Sequence, residues 1–351
     1  MTLLVERWPR LSALPHLTIG TYPTPLAPLP RLSAAFGAEL WVKRDDLTHP
    51  TYGGNKIRKL EFLLAQAMAE GANTIVTTGA VGSHHVLATS LFGARYGFEV
   101  HSVLLPQMRS QHVENNIRAG LAAGAIIHPL SHVAMFPAAV AALVTKLKLQ
   151  RKRIFVIGPG GSDASGVLGY IDAGLELGQQ LLQAGTREPN VIYVPLGTGG
   201  TAAGLAVGLA AAGVMAEIVA VRVTPRSLIR KGMLSALTRG LVQKLRGITD
   251  RFPGVAEIAM KNLTIEEGFL GEGYGIPTGV GREATRVALE TEGIVLDASY
   301  TAKTMAALMM HARGPRRGQR MIYVHTLNSA PIAPLLAGAP LLPKRIEALL
   351  G

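Results

Sequence analysis

Short β-branched or apolar runs recur along this chain, each followed by a glycine-bearing turn and a stretch with helical spacing. Residues 74–78 (TIVTT) lead through the turn 79–82 into a helical stretch ending near Phe92, and residues 98–105 form the next buried run. The rhythm returns at residues 154–157, 191–194, 218–223 and 322–324. Strand, helix, strand at this spacing defines βαβ units, which build parallel sheets covered by helices. Between the apolar run Leu40, Trp41, Val42 and the strand at 74, Ile57, Leu60, Leu64 and Met68 fall three or four apart, the signature of an amphipathic helix that Gly71 ends. An α/β protein is therefore expected.

The chain has 351 residues, more than one core usually fills, so two domains are expected. Hydrophobic residues at 48% against 17% charged are the reverse of the balance that keeps chains disordered. Residues 199–216 are uncharged, but their glycines and the closing Glu217 suit a buried helix running into a strand better than a membrane span. Glu6, Arg7 and Arg10 stand where a secretory signal needs an apolar core. The absence of cysteine excludes disulfides and thiol chemistry and fits a cytoplasmic protein. Residues 224–252 are basic and irregular and read as a surface excursion.

Lys+Arg 35 against Asp+Glu 23 leaves a charge of +12, a field that attracts anions. Clusters such as Arg151-Lys152-Arg153 and the arginines between 313 and 320 read as solvated faces. With aromatics at 5% and no basic-aromatic interleave, there is no stacking platform, and no nucleic-acid partner is expected. A non-catalytic basic binding protein is the alternative from another class.

Four loops carry chemistry. Pro195-Leu196-Gly197-Thr198-Gly199-Gly200-Thr201 follows a strand and precedes an Ala/Leu run, so its amides and the helix amino end suit a phosphate. It is neither a P-loop nor a dinucleotide fingerprint; a plain tight turn is the bland reading. Tyr52-Gly53-Gly54-Asn55-Lys56 sets a lysine at a helix start, against the helix dipole. Lysine forms Schiff bases when burial lowers its pKa, although a lone lysine is more often solvated. Gly82-Ser83-His84-His85 offers hydroxyl and N–H groups for a carboxylate. Adjacent histidines seldom meet one ion, and no metal is expected. Gly160-Gly161-Ser162 forms a further strand-to-helix turn.

Taken with residues 41–64 (WVKRDDLTHPTYGGNKIRKLEFLL), the GGS turn continuing to Gly166-Val167-Leu168-Gly169-Tyr170, Gly273-Tyr274-Gly275 and Leu296-Asp297-Ala298-Ser299-Tyr300-Thr301, these loops stand in one order from about 40 to 331. In that order they resemble the pyridoxal-phosphate-dependent D-cysteine desulfhydrase and aminocyclopropane-carboxylate deaminase family.

The resemblance implies the tryptophan-synthase-β-like, type II fold: two open twisted α/β domains with pyridoxal 5′-phosphate in the cleft. A large domain would take residues 1–56 and 166–351, and a small one, residues 57–165, would be inserted between them. By carry-over, Lys56 is the Schiff-base lysine and proton carrier, and Gly197, Thr198, Gly199, Gly200 and Thr201 bind the cofactor phosphate. Asn55 and His84 lie at the ring, and Thr326 meets the pyridine nitrogen. Ser83, His84 and His85 meet the substrate, with Ser83 at its carboxylate. Tyr274 and Tyr300 face the substrate as proton-transfer groups, although either could simply be a packed aromatic. The implied reaction is α,β-elimination on a small amino acid, D-cysteine foremost, by a homodimer with neither nucleic acid nor membrane as partner; aminocyclopropane-carboxylate deamination or another amino-acid lyase reaction is the alternative. The deaminases carry Glu and Leu where this chain has Thr301 and Thr326. The chain also departs from the family's usual Asn at His84, from a Gly-Gly pair at Leu327-Asn328, where side chains are expected at the pyridine edge, and from a glycine at Ala302.

Overall fold

A computed structural model of the chain describes residues 1–183 and 191–350, and its strands fall into two sheets. The strands are β1 (Leu26–Pro28), β2 (Glu39–Lys43), β3 (Thr74–Ala80), β4 (Glu99–Leu105), β5 (Ile126–Pro129), β6 (Ile154–Ile157), β7 (Val191–Leu196), β8 (Glu217–Arg222), β9 (Leu263–Glu266) and β10 (Arg320–Val324). The larger sheet has the order β1-β2-β10-β7-β8-β9 and is parallel except for the β1–β2 edge pair. The smaller, β5-β4-β3-β6, is parallel throughout, and all its strands lie between residues 74 and 157.

Every residue of β7 is buried, as expected of a parallel strand covered on both faces. Its side chains alternate. Ile192 and Val194 join a core with the helices Leu168–Gln183, Gly200–Ala211 and Lys231–Ile248, while Val191 and Tyr193 join one with Gly279–Glu292 and Thr301–Arg313.

The expected surface excursion at 224–252 is corrected by the helix Lys231–Ile248. Leu234, Thr238, Leu241 and Leu245, spaced by three and four, are buried along it, the leucines within the larger core, and the basic residues that masked this pattern lie elsewhere around the helix. The helix Asn55–Ala69 begins two residues before Ile57, which places Lys56 in its first turn and position 57 just inside it. This helix sits in both cores: Phe62 joins the larger, whereas Ile57, Leu60, Leu63 and Leu64 join Ile75, Leu87 and Phe92 over the smaller sheet. The carboxyl-terminal tail also reaches the smaller sheet, where Ile346 and Leu349 pack beside Leu104 and Ile127 and the Gln107 amide donates to the Leu349 carbonyl at 3.0 Å. Among the described residues, no helix is long and apolar enough to cross a membrane.

Candidate active site

The helix that carries Lys56 is fixed at its first residue. Gly54 has φ +93°, a conformation glycine adopts without strain, and a side chain there would lie 2.8 Å from the Thr326 carbonyl. The amides of Gly53 and Gly54 donate to Asn328 Oδ1 at 2.6 Å and to the Asp45 carbonyl at 3.0 Å. The Asn55 amide donates to the Thr326 carbonyl at 3.2 Å, and its Nδ2 donates to Thr201 Oγ1 at 3.1 Å. The start of the helix is thereby tied to the end of β10 and to the glycine loop after β7. Lys56 is half-buried, and burial brings its ammonium down to about 8.

The glycine loop turns at Gly199, with φ +89° and Leu234 so close behind that any side chain would collide. Gly200 then opens the helix Gly200–Ala211, whose first amides have no acceptor within the helix. Thr198 Oγ1 lies 2.6 Å from Ser162 Oγ, and Lys59 Nζ donates to Ser162 Oγ and the Gly160 carbonyl, each at 2.9 Å. Burial first, and then the Lys56 charge, pushes the Lys59 pKa well below its ordinary value. Neither lysine is ion-paired among the described residues. The buried Lys59 beside a helix amino end fits an anion with several oxygens, such as a phosphate. The Thr326 side chain, 8% exposed, has a hydroxyl with no hydrogen bond to another described residue.

The opposite wall holds Tyr274 and Tyr300, with hydroxyls 2.8 Å apart and rings edge to face at 5.7 Å. Burial raises both phenol pKa values. A Cβ at Gly197 would lie 3.2 Å from the Tyr300 ring, so the tyrosine pair adjoins the glycine loop. Two buried groups hold this wall. Lys303 Nζ donates to the Leu270 and Gly273 carbonyls at 2.7 and 2.9 Å, and Asp297 accepts the amides of Ser299 and Tyr300 at 2.9 and 2.7 Å. Burial alone would raise the Asp297 pKa, but the hydrogen bonds donated by Thr301 and the Tyr300 amide hold its carboxyl below the usual range.

The third loop comes from the smaller sheet. Ser83 caps the helix His84–Arg95, its Oγ accepting from the Val86 amide at 3.4 Å. His84 Nδ1 lies 2.7 Å from the Tyr52 hydroxyl, and its ring lies 4.6 Å from that of His112. His85 is buried with Nε2 3.3 Å from Thr77 Oγ1 and its ring against Gly161, so it packs under the turn 160–162. Asn328, expected at the pyridine edge, accepts the Gly53 and Ala330 amides and braces the Lys56 loop. Among the described residues, no three metal-ligating side chains gather.

Lys59, Tyr52, Asp297 and Lys303 escaped the sequence reading. Tyr52 and Asp297 stood inside quoted motifs without a role, and Asp297 left a signal of its own, an aspartate followed within four residues by the threonine that opens a helix.

Parallel sheets joined by a helix bearing a half-buried lysine, with a glycine loop and the Thr326 hydroxyl near its start, suit a phosphorylated aromatic cofactor. The sequence pattern described as "Pyridoxal-phosphate dependent enzyme" matches residues 17–326, and the chain belongs to that family. Its cofactor is pyridoxal 5′-phosphate. The chain is 36% identical over 304 residues to the D-cysteine desulfhydrase of Klebsiella pneumoniae (strain 342), a match covering 85% of this chain and 89% of that one. The crystal structure of an ACC deaminase homologue superposes with a TM-score of 0.78 at 28% identity, covering 100% of both chains. A threonine deaminase from T.th., at 19% identity and TM-score 0.63 over 94% of this chain and 99% of that one, supports the type II fold alone.

Proposed function

We propose that the chain is a lyase that carries out α,β-elimination on a small amino acid, D-cysteine foremost, consuming water and releasing pyruvate, ammonia and hydrogen sulfide. The relatives named D-cysteine desulfhydrase support the substrate. The observation that carries the reaction class is Thr301. Its Oγ1 donates to Asp297 Oδ2 and accepts from the Asp297 amide, both at 2.7 Å, so the residue after the second tyrosine is buried at the start of its helix with its hydroxyl committed to Asp297. Cyclopropane ring opening, by the family resemblance, goes with a glutamate there.

In this reading, the amides of residues 197–201 and the Lys59 ammonium would hold the cofactor phosphate, with Asn55 and the Thr326 hydroxyl available to its ring. Bound pyridoxal 5′-phosphate supplies the electron sink that lets a Cα proton leave. Lys56 takes that proton; a lysine at about 8 is a better base near neutrality than a solvated one. Ser83 and its neighbouring amides orient the substrate carboxylate. Tyr274 and Tyr300, sharing one hydrogen bond, pass a proton to the departing β group. The reading extends to a homodimer in the cytoplasm, on family resemblance.

Keto-acid release from D-cysteine, L-cysteine, β-chloro-D-alanine and aminocyclopropane carboxylate tests the assignment. Pyruvate from D-cysteine or β-chloro-D-alanine is expected, with none from the cyclopropane and none after Lys56→Ala. Keto acid from the cyclopropane alone would favour the deaminase, in keeping with the ACC deaminase homologue. Silence across the panel with cofactor bound would sink both.

A further inference from the structure

One buried polar atom in the cleft has no partner and no role assigned above. His84 Nε2 is shielded from solvent without a hydrogen bond, while Nδ1 lies 2.7 Å from the Tyr52 hydroxyl. That hydroxyl, on a side chain 1% exposed, has no other partner among the described residues. Two proton arrangements are open to the pair. If Nδ1 carried the proton and donated to the phenol, the phenol hydrogen would lack an acceptor and Nε2 would be a bare lone pair, leaving two unmet groups. If the phenol donates to Nδ1, only the Nε2–H remains unmet. Because each unmet buried polar group is costly, the second arrangement is favoured. Burial raises the Tyr52 phenol far above its ordinary value, so it keeps its hydrogen, and burial with the neighbouring His112 brings His84 down to about 3, so the imidazole is neutral. The groups facing His84 are Tyr52, His112, Lys56 and Asp297, so a neutral ring adds no second cation beside Lys56.

We propose that Tyr52 is a positioning residue that fixes His84 as its Nε2–H tautomer, a neutral donor held ready for an anionic oxygen in the cleft. The acceptor is either the substrate carboxylate or the cofactor's ring oxygen. The inference rests on residues 82–85 forming a ligand-binding loop, as proposed above, but it requires no turnover.

The test is long-range ¹H–¹⁵N NMR on holoenzyme with ¹⁵N-labelled histidine, the His84 signals being those lost in His84→Asn. The expected spectrum has Nε2 protonated and Nδ1 bare. Tyr52→Phe should mix the tautomers and weaken binding of D-alanine, an amino acid without a β leaving group, about tenfold, roughly one hydrogen bond. An Nε2 signal that moves when cofactor is loaded identifies the ring oxygen as acceptor; one that moves only with D-alanine identifies the carboxylate. A protonated Nδ1 in the wild type, or an Nε2 signal that neither addition moves, overturns the proposal. Should Tyr52→Phe not fold, the wild-type spectra still decide it. A silent keto-acid panel would leave the tautomer result standing, so the two readings fail separately.

Discussion

Burial brings the Lys56 ammonium to about 8, below the value of about 10.4 it has in an unfolded chain. Below pH 8 both states carry the proton, and the folded chain bears the full desolvation penalty. Between pH 8 and about 10.4 only the unfolded chain holds it, so stability rises with pH across that window. Lys56→Met should therefore stabilise the cofactor-free chain by about 3 kcal/mol at pH 7, with the advantage shrinking as pH approaches 10. Urea unfolding of both proteins at pH 7, 8.5 and 9.5 measures this, and a gap that stays constant with pH would refute it. In the sequence, Lys56 at a helix start, where a cation is out of place, gave only a hint, and it was the family resemblance that proposed it as the Schiff-base lysine. Lys59 gave no hint. Flanked by Arg58 and Leu60, it reads as a solvated lysine, and only packing beneath the turn 160–162 buries it.

At the scale of elements, Arg58 fastens the helix Asn55–Ala69 to the larger sheet. Its guanidinium donates to Asp45 at 2.9 and 3.0 Å and to Glu176, on the helix Leu168–Gln183, at 3.0 and 3.1 Å. Lys43 on β2 also bonds Glu176, and the Tyr170 hydroxyl donates to Asp45 at 2.7 Å. Burial alone would raise both carboxyls, but Arg58 outweighs it and holds them below the usual range. Folded-state values below the unfolded ones mean that this stabilisation is present above about pH 4 and lost as pH falls through the folded values. Glu176→Gln leaves the buried Lys43 without its carboxylate and Arg58 with Asp45 alone, and should cost about 3–5 kcal/mol at pH 7, the difference from wild type narrowing toward pH 3 in denaturant titrations. An unchanged midpoint at pH 7 would mean that the network is energetically idle. None of this was legible beforehand, since its members come from residues 24, 43, 45, 58, 170 and 176 and share no local pattern. The strands and glycine turns were legible because their signals are local: β-branching, period and φ > 0. The helix Lys231–Ile248 was missed, although its apolar stripe is equally local, because its lysines and arginines dominated the composition.

At the scale of the molecule, we propose a smaller unit over residues 57–165 and a larger one over residues 1–56 and 166–351, as the family resemblance implies. Among the contacts that cross that division, two involve the hydrophobic cores. The helix Asn55–Ala69 contributes to both cores, and the tail lays Ile346 and Leu349, 1% and 4% exposed, beside Val81, Val86, Val113 and Ile117. The tail also holds the backbone of Gln107, whose Oε1 accepts the Gly82 amide at 3.0 Å next to Ser83, so its docking bears on the ligand loop. Cutting both side chains to alanine leaves a void over the smaller sheet and should cost about 4 kcal/mol or more. If the units are separable, the loss is local. Hydrogen exchange should then quicken in the helix Gln111–Ala122 and in β5, while β7 and β8 keep their protection. Uniform acceleration across both sheets would instead mean that the helix Asn55–Ala69 couples them into one cooperative body, and the proposed division at residues 57 and 165 would be a boundary of topology without being one of stability.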